Sequence, residues 1–280
     1  MGEYVKTGWE QENRTHFDEI VVDYDRVRWD YPDQMFADIF VYSGLGEGKK
    51  AIEIGAGTGK ATKPVLDAGY DVTAVELGVN MAEFLLEKYK GYKNFNVIIA
   101  PFEEAALMEG IYDLVYAASA FHWVDAEIGC PKVFRLLKPG GTFALLRNNV
   151  YTADGDALYE EIQAAYKRYY FSYYTSKKRW SRNSYDDLAE PSGILQGFGF
   201  SDLSTYGFAD IFMKFYEKTF TYSANDYAAL MDTMADHREL PTDNRTALYA
   251  KIKEAINKHS GQYSQNTVFT LYMGRKKATD

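Results

Sequence analysis

The run A-I-E-I-G-A-G-T-G-K places Gly55, Gly57 and Gly59 directly after an apolar strand pattern and before a helical one. Glycines spaced this way let the backbone turn tightly and approach a ligand closely, with the N–H groups of the following helix facing it. About twenty residues on, D-V-T-A-V-E ends a second strand pattern in Glu76, whose carboxylate can accept both hydroxyls of a ribose. The two features together are more specific than either alone. The dinucleotide fingerprint G-x-G-x-x-G is not completed, because the third glycine comes one residue early and Lys60 holds its place. A nicotinamide or flavin is therefore disfavoured. The phosphate loop G-x-x-x-x-G-K-[ST] fails as well, since Ala61 follows Lys60, and nucleoside triphosphate binding is not expected.

Further along, His122 and Trp123 follow the strand pattern D-L-V-Y-A-A-S, at the carboxyl edge where open α/β sheets bind ligands. There His122 can take a proton from a substrate, hydrogen-bond a carboxylate, or fix a loop through its ring nitrogens. Trp123 can contact substrate or pack. A basic, aromatic stretch interleaves Lys167, Arg168, Lys177, Lys178, Arg179 and Arg182 with Tyr166, Tyr169, Tyr170, Tyr173, Tyr174 and Trp180; it reads as a solvated helix or as a lid accepting an anion or an aromatic ring. His237 and Arg238, between two late helical patterns, are weaker candidates of the same kind. The four histidines show no metal-ligand spacing, so no catalytic metal is expected.

Between about Lys49 and Leu146 short apolar runs alternate with helical patterns: AIEI, DVTAVEL, NVIIA, DLVYAAS and TFALL are the strands, with helices at 61–69, 80–89 and 126–137. Such βαβα order predicts an α/β fold with a parallel sheet. Upstream, residues 15–43 read as two helices broken at Tyr31-Pro32; downstream, 155–175 reads as a helix, MKFYEKTFTYS and TVFTLYMGR as strands, and Ser223-x-x-Asp226 as a capping box before a helix. A second late helix runs over Asp243–His259 and stops near Gly261.

With 31 basic and 40 acidic residues the net charge is −9, which opposes general nucleic-acid binding. One cysteine among 280 residues excludes a disulfide framework and suits a reducing, cytoplasmic setting. No apolar run is long enough for a membrane span, and no membrane association is expected.

Taken together, E-x-G-x-G-x-G, the acidic Glu76, YDLVYAASAFHWVD and FRLLKPGGTFALL resemble the motifs of the class I S-adenosylmethionine-dependent methyltransferases, closely over residues 15–150 and more loosely beyond. FDEIVVDYDRVRWDYP and AFHWVD look like the small-molecule branch that includes trans-aconitate methyltransferase-like proteins. Where those relatives read R-P-x-Y-P, this chain has Arg28-Trp29-Asp30-Tyr31-Pro32, which bears on loop shape and substrate preference.

The resemblance implies a Rossmann-like seven-stranded sheet in the order 3-2-1-4-5-7-6, mostly parallel with the last strand antiparallel, flanked by helices and carrying a helical lid. It implies one methyltransferase domain over 1–280: cap helices at 15–44, a cofactor-binding core at 45–150, a lid insertion at 151–205, and strands and helices at 206–280 that complete the sheet. S-adenosylmethionine would be the cofactor and S-adenosylhomocysteine its product. Gly55, Ala56, Gly57, Thr58 and Gly59 would line its methionine part, with Glu53 facing the ammonium group. Glu76 would hold the ribose, Leu77 and Met81 the adenine, and Phe102 and Glu103 the base edge, while Ala117, Ala118 and Ser119 would sit beneath the sulfonium. Tyr24, Arg28 and Tyr31 would close over the site, with Trp123 and Tyr173 as acceptor contacts and His122 as the catalytic candidate.

The expected reaction is in-line methyl transfer to a small carboxylate or aromatic molecule by a monomer or homodimer. The rival readings are a non-catalytic S-adenosylmethionine or S-adenosylhomocysteine-binding protein, a nicotinamide-dependent oxidoreductase, and an RNA methyltransferase.

Overall fold

Short, doubly apolar strands close this core. β1 (Lys50–Ile54) is buried at every position after its first residue, and β2 (Asp71–Glu76) is buried over its last three. Strands buried on both faces belong inside a parallel sheet covered by helices on either side. The computed structural model describes residues 11–44, 46–151, 156–174 and 202–277. Among these the strands form one seven-stranded sheet in the order β3-β2-β1-β4-β5-β7-β6, with β3 at Phe95–Ile99, β4 at Tyr112–Ala118, β5 at Leu137–Tyr151, β6 at Phe208–Ser223 and β7 at Gln262–Lys276. β1 to β5 pair in parallel and the last strand is antiparallel. Side-chain bonds from Thr219 to Asn266 and between Thr221 and Ser264 show β6 and β7 running in opposite directions.

Register matters most for the site. Ile54 pairs with Val75 and Ala117, Glu76 pairs with Ile99, and Ala118 pairs with Leu146, so the carboxyl ends of β1, β2, β4 and β5 reach one edge together.

The chain divides into two compact units. One comprises Asp30–Asn149, Asp186–Lys218 and Val268–Asp280 and contains the parallel strands with α2 (Asp33–Ser43), α3 (Thr62–Asp67), α4 (Val79–Lys88) and α5 (Ala126–Leu136). Its core gathers Ile52, Ile54, Val115, Val133, Phe143 and Tyr272, and Cys130 lies within it, its thiol pushed up to about 12 by burial. Pro32 opens α2, as the Tyr31-Pro32 break in the sequence predicts.

The other unit comprises Met1–Trp29, Val150–Tyr185 and Thr219–Thr267. It contains a 3-10 helix at Gln11–Glu19, α1 (Val21–Val27), α6 (Ala157–Tyr169), α7 (Ala224–Asp232), the single turn α8 (Ala235–Arg238) and α9 (Thr242–His259). Ser223 caps α7: its hydroxyl accepts from the Asp226 N–H and donates to the Asp226 carboxylate at 2.7 Å. Residues 15–43 thus hold the end of a 3-10 helix and two α-helices where the periodicity predicts two helices. Lys177, Lys178, Arg179, Trp180 and Arg182 lie outside the described residues.

Candidate functional site

The glycine turn forms because three successive alternate positions take a conformation that other residues resist. Gly55, Gly57 and Gly59 have φ of 64°, 56° and 83°. A Cβ at Gly55 would stand 2.6 Å from the Ala120 Cβ, and one at Gly59 would stand 2.5 Å from the Tyr89 ring. The turn therefore lies directly on the segment leaving β4. It is also tied down: Lys88 Nζ donates to the Thr58 carbonyl at 2.9 Å and Tyr89 Oη to the Gly59 carbonyl at 2.7 Å. Lys60 points elsewhere, pairing with Asp30 at 3.0 Å.

Glu76, at the end of β2, is joined to this turn. Its Oε2 accepts from the Gly57 N–H at 2.7 Å and its Oε1 from the Gly78 N–H at 2.9 Å. A carboxylate only accepts, through two lone pairs on each oxygen, which is the chemistry that a pair of ribose hydroxyls needs. Glu53 sits deeper, 1% exposed, where Thr62 Oγ1 and Tyr116 Oη both donate to its Oε2, at 2.5 and 2.9 Å. Burial pushes its carboxyl up to about 8, with Glu76 adding repulsion. Ala56 and Thr58 are buried, and the Thr58 hydroxyl has no hydrogen-bond partner among the described residues.

Beside the turn, Leu77 is half-buried and Met81 on α4 is buried. Phe102 is buried after β3, with the half-buried Glu103 next to it. This loop is held by a residue that the sequence did not single out. Lys132 on α5 donates to the carbonyls of Phe102, Glu103 and Ala105 at 2.7, 3.2 and 2.6 Å, and burial lowers the pKa of its ammonium group.

At the end of β4, Ala117 is buried and Ala118 half-buried, and Ser119 takes a left-handed φ of 53° that only glycine adopts freely. Its N–H is bonded to the Leu146 carbonyl at 2.8 Å. The Ser119 hydroxyl accepts from Tyr31 Oη at 2.9 Å and donates to Asn148 Oδ1 at 2.7 Å. Asn148, on β5, is a second residue that sequence patterns did not flag. His122 is exposed on a 3-10 turn, Phe121–Trp123, anchored by the buried Phe121 and with the His122 and Trp123 rings 5.2 Å apart.

The remaining candidates belong to the helical unit. Arg28 donates to the Thr233 carbonyl at 2.5 Å, with its guanidinium over the Tyr24 and Trp29 rings at 4.7 and 5.3 Å. Tyr173 packs edge-on against Tyr174 at 4.9 Å. His237 is buried, with Nδ1 2.9 Å from Asp236 Oδ1 and Nε2 2.8 Å from Tyr166 Oη, and Arg238 bridges Glu19 and Asp232. Among the described residues no group of His, Cys, Asp and Glu side chains is arranged to hold a metal, and no helix is long and apolar enough to cross a membrane.

Residues 52–145 match the methyltransferase-domain family. A methyltransferase of Schizosaccharomyces pombe, itself uncharacterized, is 24% identical over 263 residues, covering 91% of this chain and 95% of that one. An uncharacterized methyltransferase of Mycobacterium bovis is 31% identical over 132 residues, 47% of this chain and 51% of that protein, so the match spans about half the length of this relative. Phosphoethanolamine N-methyltransferase 2 of Haemonchus contortus, solved with phosphomonomethylethanolamine and S-adenosylhomocysteine, has a TM-score of 0.52 at 15% identity, covering 98% of this chain and 61% of that one. At that identity the likeness is one of fold.

Proposed function

We propose that this protein is a class I S-adenosylmethionine-dependent methyltransferase that transfers a methyl group to a small carboxylate or aromatic molecule by in-line displacement, in the branch that resembles the trans-aconitate methyltransferases. The observation that carries the reading is the junction of Gly57 and Glu76: a three-glycine turn whose own N–H fixes a buried carboxylate at the shared carboxyl edge of the sheet. The match of residues 52–145 to methyltransferase domains supports S-adenosylmethionine as the cofactor, and the Haemonchus contortus enzyme was solved with S-adenosylhomocysteine, the demethylated form of the same molecule.

The residues present fit that group. Glycine at 55 and 59 lets the turn press against Ala120 and Tyr89, where a Cβ would collide, and Thr58 in the same turn holds a buried hydroxyl with bonding capacity left over. Glu76 would hold the ribose hydroxyls and Glu53 would answer the ammonium charge. Gly55, Ala56, Gly57, Thr58 and Gly59 would line the methionine portion; Leu77, Met81, Phe102 and Glu103 would enclose the adenine; Ala117, Ala118 and Ser119 would form the floor next to the sulfur.

The cofactor supplies a methyl group already activated by its positive sulfur. The protein therefore has to align the acceptor, exclude water and, for a neutral phenol, amine or carbon acid, remove a proton. His122, exposed at the end of β4, is the residue proposed for that proton, and a carboxylate acceptor would not need it.

The test is a calorimetric titration with S-adenosylhomocysteine on the wild type and on Glu76→Ala, set beside NAD, followed by methyl transfer from labelled S-adenosylmethionine to small carboxylates and phenols. Micromolar binding that weakens at least tenfold in the variant is expected, since a charge-assisted hydrogen-bond pair contributes about 1.5–3 kcal/mol. Binding of NAD in place of S-adenosylhomocysteine overturns the reading. Tight binding with no transfer to any acceptor would assign a binding protein.

A further inference from the structure

We propose that Asn148 reads the methyl acceptor, presenting its amide N–H to a hydrogen-bond-accepting oxygen of that molecule; the inference rests on the methyltransferase reading of the same site. The argument is one of proton inventory. Tyr31 Oη donates to Ser119 Oγ at 2.9 Å, which commits the serine proton to the next link, and Ser119 Oγ donates to Asn148 Oδ1 at 2.7 Å. A hydroxyl that receives one hydrogen bond and gives another points its proton in one direction only, and successive links of this kind strengthen one another. The amide is thereby locked with its oxygen toward Ser119 and its nitrogen away.

The Asn148 Nδ2 donates to no group among the described residues, and the side chain is only half-buried, so these two donors are accessible rather than sealed in the core. Placement makes them useful. Ala118 pairs with Leu146, so Ser119 and Asn148 both stand just beyond the last paired residues of β4 and β5. Ala120, next to Ser119, is the residue whose Cβ bars any side chain at Gly55. The amide is thus hydrogen-bonded to the residue whose chain neighbour, Ala120, lies against the turn proposed to hold the methyl donor.

Ser119 keeps its unfavourable φ of 53° while its N–H is held by Leu146 and its hydroxyl by Tyr31 and Asn148. Strain of this kind persists where the surrounding structure over-determines it. Tyr31 is steadied in turn by edge contacts with Phe36 and Phe269, at centroid distances of 6.4 and 5.6 Å. The acceptor class that satisfies a fixed N–H donor is a carboxylate, a carbonyl compound or a phenol; an ammonium group, which only donates, does not fit.

The experiment uses the full chain labelled with nitrogen-15 and saturated with S-adenosylhomocysteine. The side-chain amide signal of Asn148, assigned by its loss in Asn148→Ala, is followed while malonate, citrate, catechol and ethylamine are added in turn. A carboxylate or the phenol is expected to move that signal and ethylamine, whose ammonium group only donates, to leave it in place. Asn148→Ala should weaken the responding probe about tenfold with S-adenosylhomocysteine affinity changed less than twofold. Asn148→Asp, which replaces the donor by an acceptor, should reverse the preference toward ethylamine, a change that a merely structural side chain would not produce. A signal unmoved by every probe, or a Asn148→Asp variant with unchanged preference, overturns the proposal. Failure of the wild type to bind S-adenosylhomocysteine would instead overturn the cofactor reading, and this inference with it.

Discussion

A lysine that gives its three protons to carbonyl oxygens is doing the work of a cap, although no cap signal marks it. Lys132 does this for the loop of Phe102, Glu103 and Ala105, and its charge is partly withdrawn from water in the process. The loop follows β3, where Phe102 and Glu103 are proposed to enclose the adenine. Lys132→Met keeps most of the unbranched stem and removes all three donors, leaving carbonyls that must find water or rearrange. S-adenosylhomocysteine binding should weaken roughly three- to tenfold, corresponding to about 1 kcal/mol of lost loop order, with the unfolding midpoint changed by much less than for a core substitution. Calorimetry beside urea unfolding checks both parts; unchanged affinity would mean that the loop holds its shape without the lysine. Nothing in the spacing of residues 102–132 shows such a bond, because it joins a helix to a loop about thirty residues away in sequence, and periodicity records only neighbours. Asn148 was illegible for the same reason: its significance comes from Ser119, on the adjacent strand.

At the scale of elements, legibility followed burial. AIEI and DVTAVE were readable as strands because both faces are covered and a glycine or an acidic residue ends each run. The patterns MKFYEKTFTYS and TVFTLYMGR mark β6 and β7 but cover only part of them, since the strands extend over Phe208–Ser223 and Gln262–Lys276. β6 is exposed or half-buried at most positions, so its pattern loses contrast where the strand continues. The helix at 126–137 and the Ser223 cap were legible from apolar spacing and local chemistry.

The network of α6, α7 and α8 was not. Tyr170 Oη donates to Asp236 Oδ2, His237 lies between Asp236 and Tyr166, and Tyr166 Oη meets Met231 Sδ at 3.1 Å. What reads in sequence as a basic, tyrosine-rich face is in part a buried polar core. Asp236 is 2% exposed, and although burial alone would raise its carboxyl, bonds from His237 and Tyr170 hold its pKa below the usual value. A depressed carboxyl stabilises the folded state above its unfolded pKa and loses that contribution as pH falls through the folded one. Asp236→Asn should therefore cost about 2–4 kcal/mol at neutral pH, and the difference from the wild type should shrink below about pH 4. Urea unfolding at pH 7 and at pH 3.5 measures it, and an equal loss at both would remove the carboxylate charge from the account.

For the whole molecule, the same linkage works with the opposite sign in the sheet-bearing unit. Glu53 is 1% exposed and its carboxyl is pushed up to about 8, by burial first and then by Glu76, against the opposing bonds from Thr62 and Tyr116. A carboxyl whose folded pKa lies above its unfolded value binds its proton more tightly when folded. Stability is then fully present below the unfolded value of 4.5 and falls as pH rises toward about 8. Without cofactor, the chain is thus constrained from both sides: Asp236 in the helical unit penalises acid, and Glu53 in the sheet-bearing unit penalises base. Between pH 5 and pH 8.5 the Glu53 contribution can reach the order of 4 kcal/mol. Glu53→Gln, which is neutral at every pH and keeps the acceptor oxygen for Thr62 and Tyr116, should flatten that slope and be more stable than the wild type at pH 8.5. The proposed cofactor alters this balance, because a cation placed near Glu53 favours its ionised form. S-adenosylhomocysteine binding at pH 7 should accordingly release close to one proton, read as a dependence of the binding enthalpy on the ionisation enthalpy of the buffer, and Glu53→Gln should abolish it. If the wild type releases no proton while Glu53→Gln still flattens the stability slope, then Glu53 is a buried carboxylic acid that stays protonated with the cofactor in place, and the ammonium group must be answered elsewhere.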